Sequence, residues 1–210
     1  AVYRYFRRVE PDLPECPTVA VDIEPLRPRD WGLSAEELRQ WWAAVSGLRS
    51  EVKRAWWVTA LLTGARAASV TCLKWSDVDF ERETLHFAVA KGGRIYTVPA
   101  SRILMEHLRQ WQGQAPPGEW VFESPRRAGQ PLWAQVRDDK RGVVSAHHLR
   151  HTYRTTLAEL GATPDQARLL MGHSLGGDVS RGYITAHLLV ESLRPLANAV
   201  AERYAKILGW

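Results

Sequence analysis

Apolar residues recur at i, i+3, i+4 and i+7 along Leu38, Trp41, Trp42 and Val45, the spacing that gives a helix one buried face. Ser34-Ala-Glu-Glu stands just before them, a capping box with Ser34 as N-cap and Glu37 as its partner. Ala55–Leu62 is almost wholly apolar and predicts a central helix ending at Thr63-Gly64, with a second helix from about Ala65 to Leu73. The period then changes. Val78–Phe80, Thr84–Ala90 and Arg94–Pro99 read as three short strands, joined by turns at Glu81–Glu83 and Lys91–Gly93, where Gly-Gly marks a hairpin. Helix returns over 101–112, and residues 113–143, broken by Pro116, Pro117, Pro125 and Pro131, are expected to be loop-rich. Ser145 is placed to cap a helix that runs to about Leu160 and stops at Gly161. Thr163-Pro164-Asp165 opens a short helix carrying Leu169–Met171, with proline at its first position. Gly172, Gly176 and Gly177 loosen the stretch that leads to Tyr183. A closing helix over 186–208 aligns Leu189, Leu193, Leu196, Val200, Tyr204 and Leu208 on one side. The expected fold is α+β, mostly α-helical with a small three-stranded antiparallel β-sheet.

The opening AVYRYFRRVE has helical character and stops at Pro11, and Cys16–Asp30 is punctuated by proline like a linker. The expected organisation is a short leading segment over 1–30 from a longer protein, a main domain over 31–184, and a helical tail over 185–210. The tail's apolar stripe is one that its own domain is not expected to bury, which makes it a candidate to dock on a neighbouring protomer. With 210 residues, 45% of them hydrophobic and ten tryptophans, the chain can build a substantial core, which excludes a disordered class. No apolar run approaches the ~18–20 residues of a membrane span, and no signal-peptide pattern opens the chain. Cys16 and Cys72 are too few for a disulfide framework or a zinc knuckle, so the expected compartment is a reducing cytoplasm.

Charge adds a partner to this picture. The formal net charge is +5, and residues 125–154 alone hold Arg126, Arg127, Arg137, Lys140, Arg141, Arg150 and Arg154 against Asp138 and Asp139, again +5. The remainder of the chain is therefore neutral. A basic stretch that also carries a histidine cluster points to a polyanion, and nucleic acid is the expected one.

The candidate chemistry lies in and around that stretch. AHHLRHTY at 146–153, LLMGH at 169–173 and Tyr183 place His147, Arg150, His151, His173 and a tyrosine within about forty residues. A tyrosine near two arginines and several histidines suits attack on a phosphodiester: guanidinium groups hold the anion, a histidine takes the phenol proton, and the phenolate attacks. A second arginine is available at Arg66, after a Thr-Gly break, and a proton donor at Lys91, at the tip of the predicted hairpin. Taken singly each is ordinary: an arginine after such a turn is more often structural, and a lysine beside Gly-Gly is usually a solvated turn residue.

Taken together, TGAR at 63–66, the hairpin Lys91, HHLRH at 147–151, MGH at 171–173 and Tyr183 resemble the catalytic domain of the tyrosine recombinases, the phage integrase family. The likeness runs from about Leu33 to Ile184, and the opening segment resembles the end of the core-binding domain that precedes this domain in phage integrases. The resemblance implies a site-specific recombinase that cleaves and rejoins DNA through a 3′-phosphotyrosyl link, needing neither metal nor other cofactor. It implies Arg66 and Arg150 as phosphate clamps, His147 as acceptor of the tyrosyl proton, His173 as a phosphate ligand, Lys91 as acid for the leaving 5′ oxygen, and Tyr183 as nucleophile. His151, one turn after His147, is expected to buttress the site, and His148 to face away from His151. Arg154, Lys140, Arg141 and Arg94 are candidate DNA contacts. The implied partners are a double-stranded DNA attachment site, further copies of the chain in a tetramer on that DNA, and an accessory directionality factor.

The pattern also departs from the family. Ser69 stands where a glutamate is usual, Met171 where leucine is common, and the interval from His173 to Tyr183 is about one residue longer than the commonest family spacing. Three competing readings remain. One is a non-catalytic DNA-binding module of the same fold, and another is a type IB topoisomerase-like strand cleaver. The third is a metal site of His147, His151, His173 and Asp178, disfavoured by the cation Arg150 on the same helix and by the absence of a glutamate between the histidines.

Overall fold

The structure, a computed structural model, describes residues 2–14, 16, 31–88, 95–132, 144–173 and 186–210. It divides into two units, Ala1–Asp30 and Trp31–Trp210. In the first, helix α1 spans Val2–Val9, and Tyr3 Oη donates to the carbonyl of Pro14 at 2.6 Å.

The second unit is built around helix α3, Glu51–Thr63, in which nine consecutive residues from Ala55 to Thr63, together with Val52, are buried. An α-helix apolar on every side must be covered on every side. Helix α2, Ala35–Ser46, and the short α4, Ala67–Thr71, lie against it, as do α5, Arg102–Gln112, α6, Ala146–Glu159, and α8, Ala186–Leu208. The capping box of Ser34 and Glu37 is present in both directions. Helix α4 is shorter than expected and has Arg66 as its N-cap.

A three-stranded antiparallel sheet flanks the helices in the order β1, Val78–Asp79, β2, Thr84–Phe87, and β3, Tyr96–Pro99. Its register pairs Leu85 with Val98 and Phe87 with Tyr96. Mostly helical with a small three-stranded antiparallel sheet is thus the observed fold. The strands are shorter than their apolar runs suggested, and the hairpin turn at 91–93 lies outside the described residues.

Two expectations need correcting. Residues 113–143 were expected to be loop-rich with no strand among them, yet β4, Glu123–Ser124, and β5, Arg127–Pro131, form a second two-stranded ladder. Arg-Ala-Gly-Gln-Pro is exposed at four of its five positions and has no apolar alternation, so periodicity could not reveal it. The closing helix was expected to keep its stripe uncovered. Instead Leu193, Ala197, Val200, Ala201 and Tyr204 of α8 are buried in the chain's own core, and Tyr204 Oη donates to Thr156 Oγ1 on α6 at 3.2 Å. Among the described residues no helix is long and apolar enough to cross a membrane.

Candidate active site

Helix α6 carries the site because of its spacing. His147, Arg150, His151 and Arg154 fall at i, i+3, i+4 and i+7, one stripe along the helix, beside the buried stripe of Ala146, Leu149, Tyr153, Thr156 and Leu157. The stripe opens on a cleft of about 320 Å³ lined by Arg66, His147, Arg150, His151, Arg154, Met171 and His173. Among the described residues no carboxylate lines it.

The two other walls are helix ends. Helix α3 stops at Gly64, whose φ of 57° is left-handed, and a Cβ there would lie 2.5 Å from the Tyr153 ring. Only glycine meets both conditions. The turn it makes swings the chain so that Arg66, two residues on, starts α4 at the cleft. Helix α7, Pro164–Leu170, ends in a Schellman turn: the Gly172 N–H donates to the Leu169 carbonyl at 3.0 Å and the His173 N–H to the Arg168 carbonyl at 2.8 Å. Gly172 has a φ of 65°. The turn delivers the His173 ring to the cleft.

Arg150 joins these parts. The residue is only 8% exposed, and its guanidinium donates to the Gly64 carbonyl at 2.7 Å and the Met171 carbonyl at 2.9 Å, with Nη2 also 2.7 Å from His173 Nε2. The last carbonyls of two helix ends therefore orient one planar cation. Burial, and then the neighbouring charge of Arg66, lower its pKa to about 10, so it remains protonated at neutral pH. The His173 pKa is lowered from its ordinary value, first by burial and then by Arg150, Arg66, Arg154 and Arg168. Burial likewise lowers that of His151, helped by His147 and Arg154. A buried cation surrounded by further cations is a site prepared for an anion.

His147 and His151 face one another with their Nε2 atoms 3.0 Å apart, so one ring donates and the other accepts. Trp31 covers them, its ring centroid 5.9 Å from His147, 6.3 Å from His151 and 4.7 Å from His148. His148 was expected to face away from His151. Three residues along a helix turn the side chain by only about 60°, and His148 sits on the flank under Trp31, with Nδ1 2.7 Å from Ser145 Oγ. That contact also explains why Ser145 begins α6 without its hydroxyl capping a backbone N–H.

Six of the residues singled out from the sequence, Arg66, His147, Arg150, His151, Arg154 and His173, thus share one cleft. Lys91, Arg94, Lys140, Arg141, Asp178 and Tyr183 lie outside the described residues. Among the described residues no three of His, Cys, Asp and Glu are grouped to hold a metal ion. Sequence reasoning missed Trp31, whose only signal was an aromatic just past the proline-rich stretch. It also missed the carbonyls of Gly64 and Met171, which carry no side-chain signal.

Residues 33–187 match the phage integrase family. The chain is 30% identical over 154 residues to the prophage integrase IntF of Escherichia coli (strain K12), covering 67% of this chain and 32% of that protein. It is 29% identical over 174 residues to the tyrosine recombinase XerA of Thermococcus onnurineus (strain NA1), covering 77% of this chain and 60% of that one. The chain therefore spans less than two thirds of the length of these relatives. A solved lambda integrase tetramer bound to a Holliday junction shares the fold, with a TM-score of 0.61 at 21% identity over 84% of this chain and 56% of that one.

Proposed function

The chain belongs to the phage integrase family, and on that premise we propose that it is the catalytic part of a site-specific DNA recombinase. The observation that carries the reading is Arg150: a buried guanidinium fixed by two backbone carbonyls, beside His173 and facing a cleft of cations with no carboxylate among the described residues. Such a group is held ready for a doubly anionic transition state.

In this reading Arg66 and Arg150 bind the non-bridging oxygens of the scissile phosphate, and His173 adds a third donor. His147 takes the proton of Tyr183, and the phenolate oxygen attacks phosphorus. The bond from phosphorus to the 5′ oxygen breaks, and that oxygen takes a proton from Lys91. The 3′ end remains joined to Tyr183 as a phosphodiester. Attack by an incoming 5′-hydroxyl reverses the sequence and releases the tyrosine with its proton restored. One phosphodiester replaces another at each step, so neither ATP nor a metal is needed. His151 steadies His147 through the contact between their rings. Arg154, Arg94, Lys140 and Arg141 take flanking phosphates, so binding weakens steeply with salt. Duplex DNA in the cytoplasm of a bacterial host is the substrate. Four copies act together on it, as in the lambda integrase tetramer, with an accessory factor to set direction.

A nicked duplex carrying the ends of the chain's own mobile element tests this. With EDTA present, wild type should form a denaturation-resistant protein–DNA adduct and Tyr183→Phe none. A protein that shifts the duplex without forming the adduct would instead be a binding module, and an adduct abolished by EDTA would return the metal site to consideration.

A further inference from the structure

Tyr96 lies on β3, and nothing in the proposed chemistry uses it. Its ring fills the space under the Schellman turn that delivers His173: a Cβ built on Gly172 would stand 2.3 Å from Tyr96 Cζ and within 2.6 Å of both Cε atoms. Across the ladder Phe87, the register partner of Tyr96, holds the ring from the sheet side, with centroids 5.0 Å apart at 33°. Phe87 is itself 1% exposed and fixed in the core. The ring is therefore gripped between a rigid strand and the backbone of Gly172.

The hydroxyl behaves differently from the ring. Tyr96 Oη is shut off from solvent and has no hydrogen-bond partner among the described residues, and the same holds for Ser69 Oγ. Burial raises the phenol's pKa, with Ser69, Arg150 and Arg66 acting in the opposite direction. The contact of this hydroxyl with Ser69 lowers the phenol's pKa but falls short of hydrogen-bond geometry and so adds little to stability, and packing of the ring explains this residue better than its oxygen does. The same ring borders an open groove of about 320 Å³ lined in part by Ile95, Leu169, Leu189 and Leu193. A smaller side chain would extend that groove under Gly172 and let the turn sink into it.

We infer that Tyr96 is a positioning residue whose ring, wedged between Phe87 and Gly172, holds the His173 imidazole against Arg150 and so shapes the phosphate-binding cleft. The inference rests on the anion-binding reading of that cleft and adds a residue to it. Through this wedge β3, the strand that follows the stretch containing Lys91, braces the turn that carries His173.

Tyr96→Phe and Tyr96→Leu of the full chain separate ring from hydroxyl. The readouts are the NMR titration of the His173 ring, faced by Arg150, Arg66, Arg154 and Arg168, and the affinity for inorganic phosphate. The phenylalanine variant should reproduce the wild-type His173 titration and bind phosphate within about twofold. The leucine variant should keep its melting transition, titrate His173 closer to free histidine, and bind phosphate about tenfold more weakly. Wild-type behaviour of His173 in the leucine variant would overturn the inference, as would a phenylalanine variant as impaired as the leucine one. Should the leucine variant fail to fold, Tyr96→Met fills similar volume with a flexible chain and carries the same test. The His173 titration needs no DNA cleavage, so this outcome is independent of whether the recombinase reading holds.

Discussion

Arg150 Nη2 stands 2.7 Å from His173 Nε2, and because a guanidinium can only donate, that nitrogen must accept. Neutral His173 then carries its proton on Nδ1. Protonation of Nε2 would set two cations in contact, which is why the neighbouring arginines join burial in lowering the His173 pKa. Arrival of a phosphate reverses the balance, because an oxyanion between the two groups favours the charged imidazole. With a phosphate bound as proposed, the contact would couple the histidine's protonation to occupancy of the cleft.

A pH dependence of stability follows. The folded pKa of His173 lies below the ordinary value of about 6.5, so below that pH the unfolded chain takes up a proton that the folded chain resists. Stability is full above about 6.5 and falls as the pH drops from there to the folded pKa. His151, lowered in the same direction, adds to the slope. Urea midpoints measured from about pH 7.5 to about pH 5.5 should fall steadily in wild type and less steeply in His173→Gln. Equal slopes would show that the Arg150 contact does not govern this histidine.

Arg150→Lys should retain the fold yet lose adduct formation by about 100-fold or more. An ammonium group cannot address the Gly64 and Met171 carbonyls in one plane while also facing the cleft. Rates of adduct formation with saturating DNA separate this from weaker binding.

Two of the left-handed glycines at helix ends, Gly161 and Gly172, make a matched pair. A Cβ at Gly161, with φ 80°, meets nothing within 4 Å, whereas one at Gly172, with φ 65°, collides with Tyr96. Gly161→Ala should cost about 1–2 kcal/mol from backbone strain alone. Gly172→Ala should cost about 3 kcal/mol or more, since the ring cannot move away from Phe87. Chemical denaturation of the two variants checks the difference.

Trp31→Ala should reduce the rate of adduct formation by roughly ten- to a hundred-fold, because the indole covers the ring pair of His147 and His151. DNA affinity should change little, since Trp31 does not line the cleft. An equal loss in affinity and in rate would mean that Trp31 holds DNA instead.

Tyr204→Ala should destabilise the protein by about 3–5 kcal/mol, as expected for a wholly buried aromatic, with the Thr156 hydroxyl left unpaired. Because α8 completes the core, removing it should abolish folding and DNA binding together. A well-folded protein truncated before Ala186 would contradict the packing described above.

The fold was legible wherever a periodic apolar stripe decided it. Leu38, Trp41 and Val45 are buried as their spacing required, and α3 is surrounded as its composition required. The β4–β5 ladder was not legible, because its contacts are backbone hydrogen bonds between polar residues. The stripe of α8 was read correctly as apolar and wrongly as uncovered, for periodicity reveals a buried face without saying what buries it. In the cleft, the i, i+3, i+4, i+7 spacing of His147, Arg150, His151 and Arg154 foretold a shared face. The partners of Arg150 did not show, since two are main-chain carbonyls from segments 86 and 21 residues away in sequence. Tyr96 and Trp31 were hidden for a related reason: each acts by where its ring is wedged, which only tertiary structure reveals.

The most direct measurement of the central claim is mass spectrometry of the trapped adduct after nuclease and protease digestion. The expected product is a nucleotide joined through phosphate to the peptide containing Tyr183, formed in EDTA and lost in Arg150→Ala. Attachment at another residue, or an adduct that persists without Arg150, would contradict the claim.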